Sequence, residues 1–481
     1  MRDTQFGKLV RLSTGRRWLR YPDEIDLSLW TASMEHSTTS GKQVENDMEL
    51  QHQHADLEGR KKPALLLSWY GSEDAEICLL NFAFYIASSI YTPGEQAVME
   101  DFGVSEIEAT LGLSLFTLGY GLGPMLWSPL SEVPSVGRND IYFFTSLAFV
   151  LLQLPTGFAI DLPMFLVFRL LAGFVGCPAL ATGAATIMDM YGPAGSAIGI
   201  SFLGFFGVCG PVFGPILGGF SAQARGWRIC IWIVAWLGAF VTVMLFFCLP
   251  ETAASTILYR RAKRLREATS DERIKSQSEL DAAEYTMRDH LLLLSRAFTL
   301  TFSEPIVFAL NLYTALLYGL LFIWFESFPL VFGDIYHFNL GQQGLVFLGI
   351  FTGGVVTLPF FLLWIQRGVV PRLTNPQIEF RPEMVLPPTF FGSACLPVCL
   401  LFFGWSARQS VHWMVPVVGS SFFTVSIITL FNPVLNYLGI TYPHNAASIF
   451  AGNALFRASF GAIFPLFVRY IVPTYMKAWF N

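Results

Sequence analysis

An arginine stands inside one of the most apolar stretches of the chain, Phe165-Leu-Val-Phe-Arg169-Leu-Leu-Ala-Gly173. At bilayer depth a guanidinium costs about 2.5–3.5 kcal/mol on the insertion scale unless a cavity or partner receives it. Arg169 is therefore a candidate for tuning the protonation of a coupling site or for holding substrate. Snorkelling to the nearby interface is the plain alternative, but Gly173 and Gly176 continue its helical face and imply a packed interior position. A second set, Glu132, Gly137 and Arg138, lies at a short turn after Gly121 and Gly123. A carboxylate and an arginine there can form a charged latch that holds one conformation shut, with Gly137 permitting the tight turn, although such loops also carry an arginine and a glycine by chance.

A third set is Gly204, Gly207, Gly210-Pro211, Gly214-Pro215 and Gly218-Gly219. Spacings of three and four put these small residues on one helical face. The prolines remove backbone hydrogen bonds, so the helix reads as smooth, bendable and able to rock against a neighbour. Simple tight packing explains the glycines but not the two Gly-Pro steps. Tyr85, Asn311, Tyr313, Glu326, Asn453 and Arg457 are the polar and aromatic candidates for lining a central cavity, with Glu326 also placed to meet solvent at the outer end of its run. The seven cysteines sit in apolar runs without C-x-x-C spacing, and no G-x-x-x-x-G-K-[ST] loop is present. No metal site, cofactor, catalytic residue or ATP-driven step is expected.

Membrane-crossing helices must position these groups. Charged residues make up only 14% of the 481, against ~25% in a soluble domain. Residues 1–75 hold 22 of them and residues 251–299 hold 17, so the rest is nearly free of charge. Its apolar runs read as eleven spans: 77–92, 107–130, 141–160, 163–188, 196–220, 229–249, 303–325, 343–365, 388–405, 411–435 and 446–472. The basic run from Arg260 to Arg266 belongs on the cytoplasmic side, which with the Lys/Arg distribution among the other loops places the N-terminus inside. The expected organisation is a disordered cytoplasmic tail (1–75), a six-helix bundle (76–250), a cytoplasmic central loop (251–300), a five-helix bundle (301–475) and a short tail (476–481). The fold class is an all-α polytopic membrane protein. A net charge of −5 excludes nucleic-acid binding driven by bulk positive charge. The partners expected are a small-molecule substrate, protons and the lipid bilayer, with the chain a monomer.

Together the motifs resemble the major facilitator superfamily, in particular its fungal drug/proton antiporter branch. Ser131-Glu132 with Gly137-Arg138 looks like that family's loop signature, Arg169 with Gly173 like its helix-four signature, and Gly210-Pro211-Val-Phe-Gly214-Pro215-Ile-Leu-Gly218-Gly219 like its helix-five antiporter signature. Leu249-Pro-Glu-Thr252, Trp324-Phe-Glu-Ser-Phe-Pro-Leu330, Leu435-Asn-Tyr-Leu-Gly439 and Ala451-Gly-Asn-Ala-Leu-Phe-Arg457 are similar to further stretches of the azole and benomyl resistance exporters. The resemblance implies the two-bundle major facilitator fold and proton-driven export of hydrophobic or amphipathic molecules by alternating access, in the plasma membrane or a vacuolar or vesicular one. A dedicated exporter of a host secondary metabolite and a polyamine transporter are the alternatives; a membrane-embedded enzyme lacks the carboxylate pairs or acid–histidine pairs it would need at depth. Three departures stand out. Ala172 stands where a family member would usually have Gln, so a polar neighbour of Arg169 is missing. The run 77–92 is 16 residues long, short of the ~17–25 a span needs, and nothing like a twelfth span follows Tyr470, so the second bundle is expected to lack a wall.

Overall fold

The computed structural model describes residues 3–14, 21, 72–270, 275–276, 279, 299–375, 381–442 and 446–480. Among these, eleven helices are long and apolar enough to cross a membrane: Glu76–Phe102, Glu106–Glu132, Arg138–Gly157, Leu162–Tyr191, Gly195–Arg225, Arg228–Cys248, Pro305–Ile335, Leu340–Leu373, Pro388–Ser406, Met414–Thr441 and Ser448–Val468. They are called spans 1 to 11. No strand occurs among the described residues.

Span 1 corrects the short first run. Its helix begins at Ser72, passes through the 3-10 turn Thr92–Gly94 and continues as Glu95–Phe102 until Gly103, at φ 65°, ends it. Pro93 and the acidic Glu95 interrupt the apolar pattern, but a proline at the first position of a helical turn has no hydrogen bond to lose. The tail departs from expectation as well. Gln5–Ser13 forms a helix capped by the Thr4 hydroxyl, which accepts from the Gly7 amide. Phe6 packs its ring 5.2 Å from that of Phe247 at the inner end of span 6. The remainder of the expected disordered tail, apart from Tyr21, lies outside the described residues up to position 71.

The spans gather into two bundles. In the first, span 1 lies against spans 5 and 6, span 2 against span 4, and span 3 against spans 4 and 6. In the second, span 7 packs on span 11, and span 10 on spans 8 and 9. Spans 4 and 5 fold back on one another: a side chain on Gly183 would meet Leu203, and one on Gly199 would meet Ile187. Two long contacts join the bundles, span 2 on span 11 and span 5 on span 8. The outer rim is oily, with Phe144, Phe158, Trp236, Phe240, Phe360 and Phe390 all well exposed. Water would oppose so many outward aromatics, whereas the acyl chains of a bilayer accept them.

Candidate functional site

A cavity lies between the bundles near mid-membrane, walled by Asn81 and Tyr85 of span 1, Leu180 and Ala184 of span 4, Ile200 to Val208 of span 5, and Thr314, Leu317, Tyr318 and Leu321 of span 7. Ile427, Phe431 and Leu435 of span 10 and Phe450, Asn453 and Arg457 of span 11 close the other side. The cavity is thin, with a volume of about 60 Å³. The bundles approach one another closely on both sides of it. On the outer side, a Cβ on Gly219 would lie 2.3 Å from the Leu340 carbonyl oxygen, and one on Gly344 2.4 Å from that of Pro215. Toward the cytoplasm, Gly439 of span 10 sits over the Met188 sulfur of span 4. At this size the cavity admits a drug-sized molecule only if its walls part.

Of the six cavity candidates named from sequence, Tyr85, Asn453 and Arg457 line the cavity. Asn311 sits just behind the wall, where its Oδ1 accepts from Asn453 Nδ2 at 2.9 Å while the same nitrogen donates to Thr314 Oγ1 at 2.8 Å. That clamp ties span 7 to span 11. Tyr313 does not line the cavity. The wall positions of span 7 are 314, 317, 318 and 321, one helical face, and Tyr313 is turned toward the side of the exposed Leu312 and Leu316. Tyr318, its ring 6.3 Å from Tyr85, takes the place expected of it; the exposed-face leucines were the signal for that phase. Asn81 and Phe431 are further wall residues that the sequence reading missed, and only the packing of spans 5 and 10 reveals them.

Glu326 is neither in the cavity nor in solvent. It is 1% exposed, in the outer part of span 7 beside Phe322, Phe325 and Phe328, and it interacts electrostatically with Glu95 of span 1. Glu95 is itself buried, accepts from the Thr110 hydroxyl at 3.2 Å and interacts in turn with Arg169. Two carboxylates from opposite bundles thus interact with one another, and Glu95 also with the Arg169 guanidinium.

Arg169 is fully buried but does not reach the central cavity. Its Nε donates to the Gly112 carbonyl of span 2 at 3.0 Å and its Nη1 to the Ala87 carbonyl of span 1 at 2.9 Å. The Phe116 ring lies 4.5 Å from its central carbon. Arg169 is a strut joining spans 1, 2 and 4, possible because Gly173 brings span 4 within contact of the Phe116 carbonyl.

The glycines of span 5 divide by position. Gly210, Gly214 and Gly218 face Tyr85, Ser89 and Ile90 of span 1, so they pack within one bundle rather than forming the rocking surface expected of them. The Gly-Pro steps belong to the same clamp. Pro215 has no N–H for the Pro211 carbonyl four residues back, and the Ser89 hydroxyl donates to that carbonyl at 2.7 Å. The bundle-to-bundle face instead carries Gly204, against Asn432 of span 10, and Gly219, against Leu340 of span 8.

At the cytoplasmic turn the expected Glu132–Arg138 latch is not formed. Glu132 ends span 2 exposed, while Arg138, buried at the start of span 3, pairs with Asp189 at the inner end of span 4, 2.7 Å apart. Gly137 has φ 81°, and a Cβ there would lie 2.3 Å from Glu251 Oε2. Glu251 is the residue that sequence reasoning passed over, although it lies in the quoted Leu249–Thr252 stretch. Its Oε1 accepts from the amides of Arg138, Thr252 and Ala253, and Oε2 pairs with Arg260 at 3.2 Å. Arg260 also reaches Asp140 at 2.9 Å, and Asp140 pairs with Lys8 of the N-terminal helix. Burial holds the Lys8 ammonium below the usual lysine range, against the opposing pull of its hydrogen bond to Asp140. Spans 3, 4 and 6, the helix Ala254–Thr269 and the N-terminal helix meet at this one network.

A family model for the Major Facilitator Superfamily matches this chain over residues 77–465. The chain belongs to that superfamily. Similar relatives include Transporter mfs1 of Schizosaccharomyces pombe, 37% identical over 98% of this chain and 90% of its own. Fluconazole resistance protein 1 of Saccharomyces cerevisiae is 37% identical, covering 90% of this chain and 79% of that one, and the Cycloheximide resistance protein of Candida maltosa is 33% identical, covering 98% and 90%. Among solved structures, a proton:xylose symporter bound to 6-bromo-6-deoxy-D-glucose superimposes with a TM-score of 0.57 at 15% identity, over 85% of this chain and 90% of that one. The superfamily is one of transporters, and this member is a multi-pass membrane protein with eleven apolar helices among its described residues.

Proposed function

We propose that this transporter exports hydrophobic or amphipathic small molecules across the plasma membrane, with proton entry driving the step, by alternating opening of the central cavity to either side. The observation that carries the reading is the cavity itself: an aromatic and aliphatic wall contributed by both bundles, with close contacts between the two bundles on either side of it. Apolar walls with a few placed polar groups suit varied apolar substrates. The fluconazole and cycloheximide resistance relatives support export of such compounds. A proton moving down 100 mV supplies ~2.3 kcal/mol, enough to raise an apolar molecule's outside concentration tens of fold. Polyamine transport is disfavoured, because the cavity wall holds an arginine and no carboxylate. The chain acts as a carrier, not an enzyme, and as a monomer, since one chain supplies both halves of the cavity.

Reconstituted protein tests this with Nile red as a neutral apolar probe. An imposed proton gradient should drive dye movement, and Ala184→Phe, which fills the cavity from span 4, should abolish it with the protein still folded. Gradient-independent dye movement, or full transport by Ala184→Phe, would overturn the reading.

A further inference from the structure

Two arginines at membrane depth are held differently. Arg169 donates to two backbone carbonyls at 3.0 and 2.9 Å, and only its Nη2 is buried without a partner. Arg457, at the middle of span 11, is also buried, with 6% exposure, yet it lines the cavity, its Nε has no hydrogen-bond acceptor, and it forms no ion pair among the described residues. What flanks it is aromatic: Phe431 at 4.7 Å and Tyr318 at 5.4 Å from the guanidinium carbon. Rings ease the burial of a cation through their π faces, and they hold the side chain in place, but they accept few of its five N–H donors. One turn away on the same face, Asn453 commits its Nδ2 to Asn311 and Thr314, which leaves its Oδ1 buried without a donor.

From this geometry we infer that the cavity selects amphipathic weak acids, with a carboxylate head on the Arg457 guanidinium and an apolar, preferably aromatic, body along Tyr85, Tyr318 and Phe431. The inference rests on the central cavity being the transport site and names the substrate class of that site. A buried guanidinium lacking an anion gains more from a carboxylate than from any neutral group, because the fork geometry allows two charge-assisted hydrogen bonds at once. Asn453 Oδ1 adds an acceptor for a hydroxyl or N–H next to the acid. No lining residue contributes a competing negative charge. Export of such an anion in exchange for an entering proton moves positive charge inward in both halves of the cycle, so transport of acids is electrogenic where that of a monovalent cation would be neutral.

The test compares 4-phenylbenzoate with its isosteric amide, 4-phenylbenzamide, binding to the full chain in nanodiscs at neutral pH. The unmodified protein should bind the carboxylate at least tenfold more tightly than the amide. Arg457→Gln should bring that ratio to within about twofold, and Arg457→Lys should keep part of it, because an ammonium lacks the planar fork. Equal affinities in the unmodified protein, or an unchanged ratio in a folded Arg457→Gln variant, would overturn the inference; if that variant does not fold, the ratio in the unmodified protein decides alone. Ala184→Phe separates the two claims. Loss of both ligands in that variant with an acid-to-amide ratio of one in the parent refutes the acid preference and keeps the cavity as the site. Undiminished binding of both ligands by Ala184→Phe refutes the cavity as the site, and the inference with it.

Discussion

Gly219→Ala should open the transporter toward the outside. The Cβ it adds would lie 2.3 Å from the Leu340 carbonyl oxygen, where ordinary contact begins at 3.4 Å, so spans 5 and 8 would have to part by about 1 Å, an overpacking that costs ~1–3 kcal/mol. The obstructing atom is backbone, which cannot rotate away. The contact exists only while the bundles are closed at the outer end, so the penalty falls on that state and leaves the outward-open one untouched. A bias of that size shifts a two-state equilibrium by ~5–150-fold. Gly214→Ala is the control five residues earlier: its Cβ would run into Ser89 and Ile90 of span 1, a contact inside one bundle and common to every state. It should lower thermal stability by ~1–3 kcal/mol without moving the bundles. Spin labels on Arg225→Cys, at the outer end of span 5, and Arg408→Cys, between spans 9 and 10, in a Cys248→Ser background, report the separation. The Gly219→Ala sample should shift toward longer distances and the Gly214→Ala sample should not. An unchanged distance distribution in Gly219→Ala, or the same shift in both, would show that the division of the span 5 glycines into a packing face and a gating face is mistaken.

Arg169→Lys should lower the melting temperature, since an ammonium cannot hold the Gly112 and Ala87 carbonyls together as the fork does, and each charge-assisted bond contributes ~1.5–3 kcal/mol; a thermal-shift scan equal to the parent's would refute the strut. Glu326→Gln should abolish uphill, gradient-driven efflux while downhill substrate exchange continues, because the Glu95–Glu326 region then holds one ionisable carboxyl fewer; pH-driven flux at the parental rate would exclude Glu326 from proton coupling. Asp140→Asn should release the N-terminal helix by removing the partner of Lys8 and Arg260, read as faster tryptic cleavage at Lys8; equal cleavage rates would mean that the Phe6–Phe247 contact suffices to hold it. Arg138→Ala leaves Asp189 without its cation and should raise labelling of cysteines placed on the cytoplasmic side of the cavity, and labelling as slow as the parent's would deny the pair a gating role.

Much of this protein is decided by sequence alone. A chain whose charge is concentrated in two polar segments leaves apolar runs that only a bilayer can accommodate, so the number of spans and their order follow from local composition. The helix-five glycines, the Gly137 turn and the arginine in span 4 were legible for the same reason: each is a residue type in a place where it is costly without a purpose. What each one touches is a different matter, because a partner in a helical bundle comes from a distant span and is set by rotation about the helix axis. A phase difference of one residue turned Tyr313 away and put Tyr318 in the cavity wall. Arg169 and Arg457 read alike as intramembrane cations, and tertiary packing made the first a strut between carbonyls and left the second facing empty space. The same packing gave Arg138 to Asp189 rather than to Glu132, since proximity along the chain counts for little when the folding of span 4 brings a distant carboxylate within 2.7 Å.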